Sequence, residues 1–149
     1  MESDYSILLV DDSPEDTQAT LRAFQRVGLV NRSYHCKNGT EALDFLHQRG
    51  QYAAPIPPPR LGMILLDLNL PGIDGREVLD HIKRDEQLKT IPVLVLTTST
   101  DERDIQKCYQ VGANCYINKP VDFGGFVRSI QRIKEFWFET AILPQRTGE

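Results

Sequence analysis

Four points along the chain place a reactive side chain directly behind an apolar run. Asp11 and Asp12 follow Ser6–Val10, and Asp67 closes the run that begins at Met63. Thr97 and Thr98 follow Pro92–Leu96, and Lys119 comes just after Cys115–Ile117. Singly, such residues are ordinary: aspartates cap helices, threonine suits a strand, and a lysine before proline is usually solvated. Adjacent carboxylates repel, however, so the pair at 11 and 12 costs stability unless positive charge lies between them. Together, three carboxylates, a hydroxyl and an ammonium suit a divalent metal and a phosphoryl group. Mg²⁺ takes hard oxygen ligands in octahedral geometry and keeps several waters, and Asp11, Asp12 and Asp67 would supply its protein oxygens. A carboxylate is also a nucleophile toward phosphorus, giving an aspartyl phosphate. Metal, ammonium and hydroxyl would then stabilise charge on the transferring group. No G-x-x-x-x-G-K-[ST] or G-x-G-x-x-G loop for a nucleotide occurs in the chain.

For these groups to meet, the apolar runs must be neighbouring strands with their carboxyl ends on one side. The pattern alternates strand and helix five times. After the strand Ser6–Val10, Ser13 reads as an N-cap, with Pro14 at the first helical position and Asp16 in capping-box position. Leu21, Phe24 and Val27 keep helical spacing up to a stop at Gly28. Arg32–Lys37 is a weaker strand, and Asn38-Gly39 turns the chain into a helix carrying Ala42, Leu43 and Leu46. Residues 50–62, GQYAAPIPPPRLG, form a proline-rich loop too short for an interdomain linker. The strand ending at Asp67 leads to a helix marked by Val78, Leu79 and Ile82. Pro92–Leu96 is the fourth strand, and Ser99-x-x-Glu102 resembles a capping box for a helix with Ile105, Cys108 and Tyr109 inward. Cys115–Ile117 is the fifth strand, and Val121 or Asp122 opens the last helix. Continuous apolar strands are covered on both faces. Their alternation with helices implies parallel pairing by right-handed crossovers. Ligands of such sheets bind outside the carboxyl ends of the strands, where strand order reverses.

The bulk numbers exclude several other classes. A chain of 149 residues with 40% hydrophobic and 26% charged residues has an ordinary globular balance. A net charge of −4, with no helix basic along one face, argues against nucleic acid as a partner. The apolar runs are strand-length, too short to span a membrane, and MESDYS has no export-signal pattern. Cys36, Cys108 and Cys115 lack C-x-x-C spacing and fit reduced thiols, so a cytoplasmic protein is expected. His35, His47 and His81 fall away from the strand ends and read as surface or packing residues.

The segments LLVDDS, ILLDLNLPGIDG, VLVLTTS and YINKP resemble, in order and approximate spacing, the signatures of the receiver domain of two-component response regulators. The match covers roughly residues 5–140. The resemblance implies an α/β, flavodoxin-like (βα)5 fold: a doubly wound five-stranded parallel sheet of order 2-1-3-4-5 with helices on both faces. It implies one receiver domain over residues 1–149 with no output domain. Asp67 becomes the phosphoacceptor, served by a sensor histidine kinase, with Mg²⁺ or Mn²⁺ as cofactor. Asp12 would be a direct metal ligand, Asp11 would hold metal-bound water or touch the ion, and the backbone carbonyl of Asn69 would be a further ligand. Thr97 would hydrogen-bond the phosphoryl group and Lys119 would pair with its charge. Thr97 and Tyr116 form the implied switch, and Pro120 implies a cis Lys-Pro peptide.

Near the carboxyl end, Phe126, Val127, Ile130, Ile133 and Trp137 follow helical spacing and should face the sheet. Phe136, Phe138, Ile142 and Leu143 exceed what one inward stripe needs. Surplus apolar surface marks an interface, here a two-fold homodimer involving the tail, unless the tail folds back on its own domain. This tail and the long loop before strand three resemble the small receivers partnered with phytochrome histidine kinases, and that resemblance implies a homodimer through helix 4, strand 5, helix 5 and the C-terminal tail. The expected function is therefore a single-domain regulator that switches its helix 4–strand 5–helix 5 surface on phosphorylation, with no enzymatic turnover beyond slow autodephosphorylation. Two alternatives are a phosphate sink or relay without an effector, and a Mg²⁺-dependent aspartyl-phosphate phosphatase. The latter usually carries a second acid two residues after its nucleophile, where this chain has Asn69. A flavin module on the same topology would need a phosphate loop after strand one, where this chain has carboxylates.

Overall fold

The computed structural model describes residues 5–53 and 58–144. Five parallel strands form one sheet: β1 (Ser6–Val10), β2 (Ser33–Cys36), β3 (Leu61–Leu66), β4 (Val93–Thr97) and β5 (Cys115–Asn118), in the order β2-β1-β3-β4-β5. Between and after them run α1 (Pro14–Arg26), α2 (Gly39–His47), α3 (Gly75–Arg84), α4 (Glu102–Val111) and α5 (Phe123–Ile133). The parallel pairing is what the alternating pattern predicts, and the strand order is the flavodoxin-like one that the resemblance to receiver domains implies. The proline-rich stretch contributes a 3-10 turn at Gly50–Tyr52, and its Leu61 and Gly62 already belong to β3. The rest of that loop lies partly outside the described residues.

Burial explains the strand composition. Every residue of β1, β3 and β4 is buried, because helices cover both faces. Leu8, Val10, Ile64, Leu66, Val93 and Val95 meet α2, α3 and α4 on one face. Ile7, Leu9, Met63, Leu65, Leu94 and Leu96 meet α1 and α5 on the other. Alternate residues of each strand therefore feed opposite cores.

The helix ends follow local chemistry. Ser13 caps α1, its hydroxyl accepting from Asp16 N–H at 3.1 Å, with Pro14 at the first helical position. Gly28 follows the end of α1 with φ of 73°, a left-handed conformation that glycine adopts without penalty. Asn38 caps α2, and Asp74 with Glu77 closes a full capping box on α3. At α4 the expected capping box is replaced: Asp101 is the N-cap. The Ser99 hydroxyl instead donates to Asp104 Oδ2 at 2.8 Å. Tyr109 also departs from expectation, being half-exposed, and its hydroxyl accepts from Tyr116 N–H at 3.0 Å.

After α5 the chain makes a π-helical turn over Lys134–Phe138. Phe126, Ile130 and Ile133 are buried against the sheet, while Val127, Trp137 and Phe138 pack at the edge of that core. The tail then folds back on its own domain: the Tyr5 hydroxyl donates to the carbonyl of Pro144 at 3.3 Å, and Leu143 covers Gly62. Phe136 remains half-exposed and Ile142 fully exposed.

Candidate functional site

The carboxyl ends of β1, β3 and β5 meet in an acidic cup closed by one lysine. Lys119, just beyond β5, is largely buried, and its Nζ donates to Asp11 Oδ2 at 3.1 Å, to Asp67 Oδ2 at 3.2 Å and to Asp16 Oδ2 at 3.0 Å. The ammonium thus sits among carboxylates drawn from after β1, after β3 and from the first turn of α1. Burial alone disfavours that charge, but Asp11, Asp16 and Asp67 more than offset it and hold the lysine above its ordinary pKa. Asp11 is fully buried, and burial pushes its carboxyl upward against the pull of Ser13 N–H and Lys119. Charge-assisted bonds of this kind are among the stronger ones in proteins.

Two of these carboxylates are oriented from their far side. Asp11 Oδ1 accepts from Ser13 N–H at 3.0 Å, and Asp67 Oδ1 accepts from Asn69 N–H at 3.3 Å. The backbone of Asp67 is fixed by a close approach: a Cβ on Gly75 would lie 2.2 Å from the Asp67 carbonyl oxygen. Only glycine allows the chain to return this tightly, and Gly75 N–H then donates to Leu68 O at 2.9 Å.

Asp11, Asp12 and Asp67 each place a carboxylate oxygen within 4.8 Å of the others. Asp12 is exposed, and among the described residues no donor engages its side chain. Hard, anionic oxygens converging with one side open to water fit a six-coordinate Mg²⁺ or Mn²⁺ that retains waters. On the next strand, Thr97 is fully buried at the end of β4, its hydroxyl accepting from Ser99 N–H at 3.4 Å. Lys119 N–H donates to Thr97 O at 2.8 Å, joining the two loops. The Tyr116 ring is half-buried against the core, and its hydroxyl donates to Ser99 O at 3.0 Å.

Three features depart from the sequence reading. The Lys119–Pro120 peptide is trans, not cis. Lys119 already pairs with β4 and reaches the carboxylates from the trans chain, so nothing here demands the isomer that X–Pro bonds intrinsically disfavour. Asp16 does not complete a capping box, because Ser13 N–H is taken by Asp11 and the Asp16 carboxylate turns to Lys119 instead. Nothing in the spacing distinguishes such a first-turn acid from a helix-dipole partner. His35 lies beside the cup and not away from it: β2 pairs with β1, and His35 Nε2 donates to Asp11 O at 2.8 Å.

Beside the cup, α1 and the β5–α5 loop enclose a cleft of about 200 Å³ lined by Asp16, Arg22, Lys119, Val121 and Phe126. Behind it, Arg76 on α3 grips α4 through Asp104, at 2.9 and 2.8 Å, and holds Asp74 at 2.9 Å. The Arg76 hydrogen bond, then that of Ser99, holds the Asp104 carboxyl down at about 2.

Residues 7–131 match the response regulator receiver domain. The chain is 42% identical over 91% of its length to the probable methanogenesis regulatory protein FilR2 of Methanothrix harundinacea, covering 85% of that protein. It is 41% identical over 93% of its length to the response regulator Rcp1 of Synechocystis, covering 92% of that protein. Rcp1 has been solved in a Mn²⁺-bound form, which superposes with a TM-score of 0.86 over 94% of this chain and 99% of that one. The phosphorylated cyanobacterial phytochrome response regulator RcpA, 40% identical, superposes with a TM-score of 0.88 over 96% of this chain and all of RcpA. The chain belongs to the receiver family of response regulators.

Proposed function

We propose that Asp67 accepts a phosphoryl group from a phosphohistidine donor, and that the resulting charge resets the flank formed by α4, β5 and α5. The observation that carries this reading is the single buried ammonium of Lys119 shared by Asp11 and Asp67 at 3.1 and 3.2 Å. Asp67 Oδ attacks phosphorus as the bond to the histidine nitrogen breaks, and the imidazole leaves. Asp11, Asp12, Asp67 and the backbone carbonyl of Asn69 would hold Mg²⁺ or Mn²⁺. When bound, the ion neutralises charge on the phosphoryl oxygens. Lys119 orients one oxygen of the incoming group, and the Thr97 hydroxyl is placed to leave Ser99 N–H and bond another. As Thr97 moves, the β4–α4 loop that Tyr116 grips through Ser99 moves with it. Such a local charge event biases a bistable element only by its differential interaction with the two states.

Likeness to the phytochrome response regulator RcpA supports a phytochrome-type histidine kinase as the upstream partner, and a cytoplasmic setting follows from that partnership. Among the described residues no helix is long and apolar enough to cross a membrane. Exposed Phe136, Val121 and Ile142 on the α5 side support self-association there. Asn69 lacks the acidity to protonate a leaving group, which favours a regulator over a phosphatase. The test uses phosphoramidate and Mg²⁺ as donor. Wild-type protein should take up one acid-labile phosphoryl group, and Asp67→Asn should take up none. Equal uptake by the variant would place the acceptor elsewhere.

A further inference from the structure

Two histidines that the acidic cup does not use meet at the opposite end of the molecule. In a parallel sheet with crossover helices, the helix C-termini lie at the edge away from the strands' carboxyl ends. There His47, the last residue of α2, faces His81 in the last turn of α3, with Nε2 atoms 2.8 Å apart and rings at 81°. Asp85, one helical turn beyond His81, brings Oδ2 to 3.9 Å from His47 Nε2. One ligand atom from each of the three lies within 4.8 Å of the others.

The carboxylate is aimed as metal ligands usually are. Asp85 Oδ1 accepts from Gln87 N–H at 2.8 Å and Leu88 N–H at 3.1 Å, leaving Oδ2 toward the imidazoles. Hydrogen bonding of the non-ligating atom is the outer-shell arrangement that fixes metal-binding carboxylates. The site has an access path, because His81 and Asp85 also line an open groove of about 790 Å³ between α3 and α4. Without an ion, two facing Nε2 atoms can share only one proton. Tetrahedral zinc, at about 2.0–2.1 Å from each nitrogen, would set them about 3.3 Å apart, a shift of roughly half an ångström.

We propose that His47, His81 and Asp85 bind a transition-metal ion of the zinc class that staples the end of α2 to the end of α3. Imidazole with one carboxylate suits Zn²⁺, Co²⁺, Ni²⁺ or Cu²⁺, whereas the all-oxygen cup suits Mg²⁺ and Mn²⁺. The molecule thereby sorts two metal classes between its two ends. Three protein ligands leave a fourth position for water.

The test is a Co²⁺ titration of tag-free, full-length protein in excess Mg²⁺, which occupies the cup, followed by visible absorption and displacement with Zn²⁺. One equivalent should give the intense bands of tetrahedral cobalt, and Zn²⁺ should bleach them and raise the melting temperature. His47→Gln and His81→Gln should each weaken binding at least tenfold, while Asp12→Asn should leave it within twofold. Melting in EDTA verifies that each variant is folded. No cobalt band in the wild type, a thiolate-to-cobalt band from a cysteine, or loss of binding in Asp12→Asn would each overturn the assignment.

Discussion

The middle of the sheet and its β5 flank are built on different terms. β1, β3 and β4 are buried at every position, and the Asp11 and Asp67 carboxylates are fixed by backbone N–H groups on one side and Lys119 on the other. β5 is only half-buried, and the loop, helix and tail beyond it leave Val121, Phe136 and Ile142 in solvent. The middle concentrates charge where water is scarce, so small displacements there carry large electrostatic consequences. The flank has fewer buried positions, so a local rearrangement there costs less than one in the middle. A receiver needs both, and Lys119 belongs to both.

The sharpest way to break this contrast is to remove that lysine. Lys119→Met should slow phosphoryl uptake from phosphoramidate about 30-fold, equivalent to about 2 kcal/mol for lost charge-assisted bonds. Uptake within threefold of wild type, measured by intact mass, would mean that the ammonium does not serve the cup. Next in size is the Arg76–Asp104 pair at the border between centre and flank. Asp104 is held at about 2 in the folded protein, below an ordinary aspartate, so its contribution is present at neutral pH and fades as pH falls toward 2. Asp104→Asn should therefore lower unfolding free energy by about 1 kcal/mol at pH 7, after allowance for solvent screening. In urea melts the two proteins should converge at acid pH. Smallest is the tail: Ile142→Ser should change monomer stability by less than about 0.5 kcal/mol, since that side chain is exposed. The same change should weaken any dimer seen by light scattering, and an unaltered dimer would move the interface off the tail.

Much of this was legible beforehand because burial on two faces leaves little freedom in composition. The runs SILLV, LGMILL and VLVLT have no solvent face, and the reactive residues stand where those runs stop. The Ser13 cap with Pro14 was equally plain, since an N-cap and a first-turn proline are purely local chemistry. Partnerships across the fold were not legible. Asp16 has the same sequence signal whether its carboxylate caps a helix or binds Lys119, and His35 nears Asp11 only because β2 lies beside β1. The α4 cap moved from Ser99 to Asp101 because a distant arginine recruits Asp104, which in turn engages Ser99. The tail's surplus apolar residues divided: Leu143 turned inward and Ile142 outward, a split that helical periodicity does not encode once the helix has ended.

The link between Lys119 and Asp16 makes α1 a second reporter of events in the cup. Asp16 is the most solvent-accessible of the three anions sharing that cation, at 48% against 3% for Asp11 and 12% for Asp67. It therefore gives up its share with the least penalty when a dianion arrives to compete. Release of Asp16 would unlatch the first turn of α1 and alter the mouth of the adjoining cleft, on the side of the molecule away from α4.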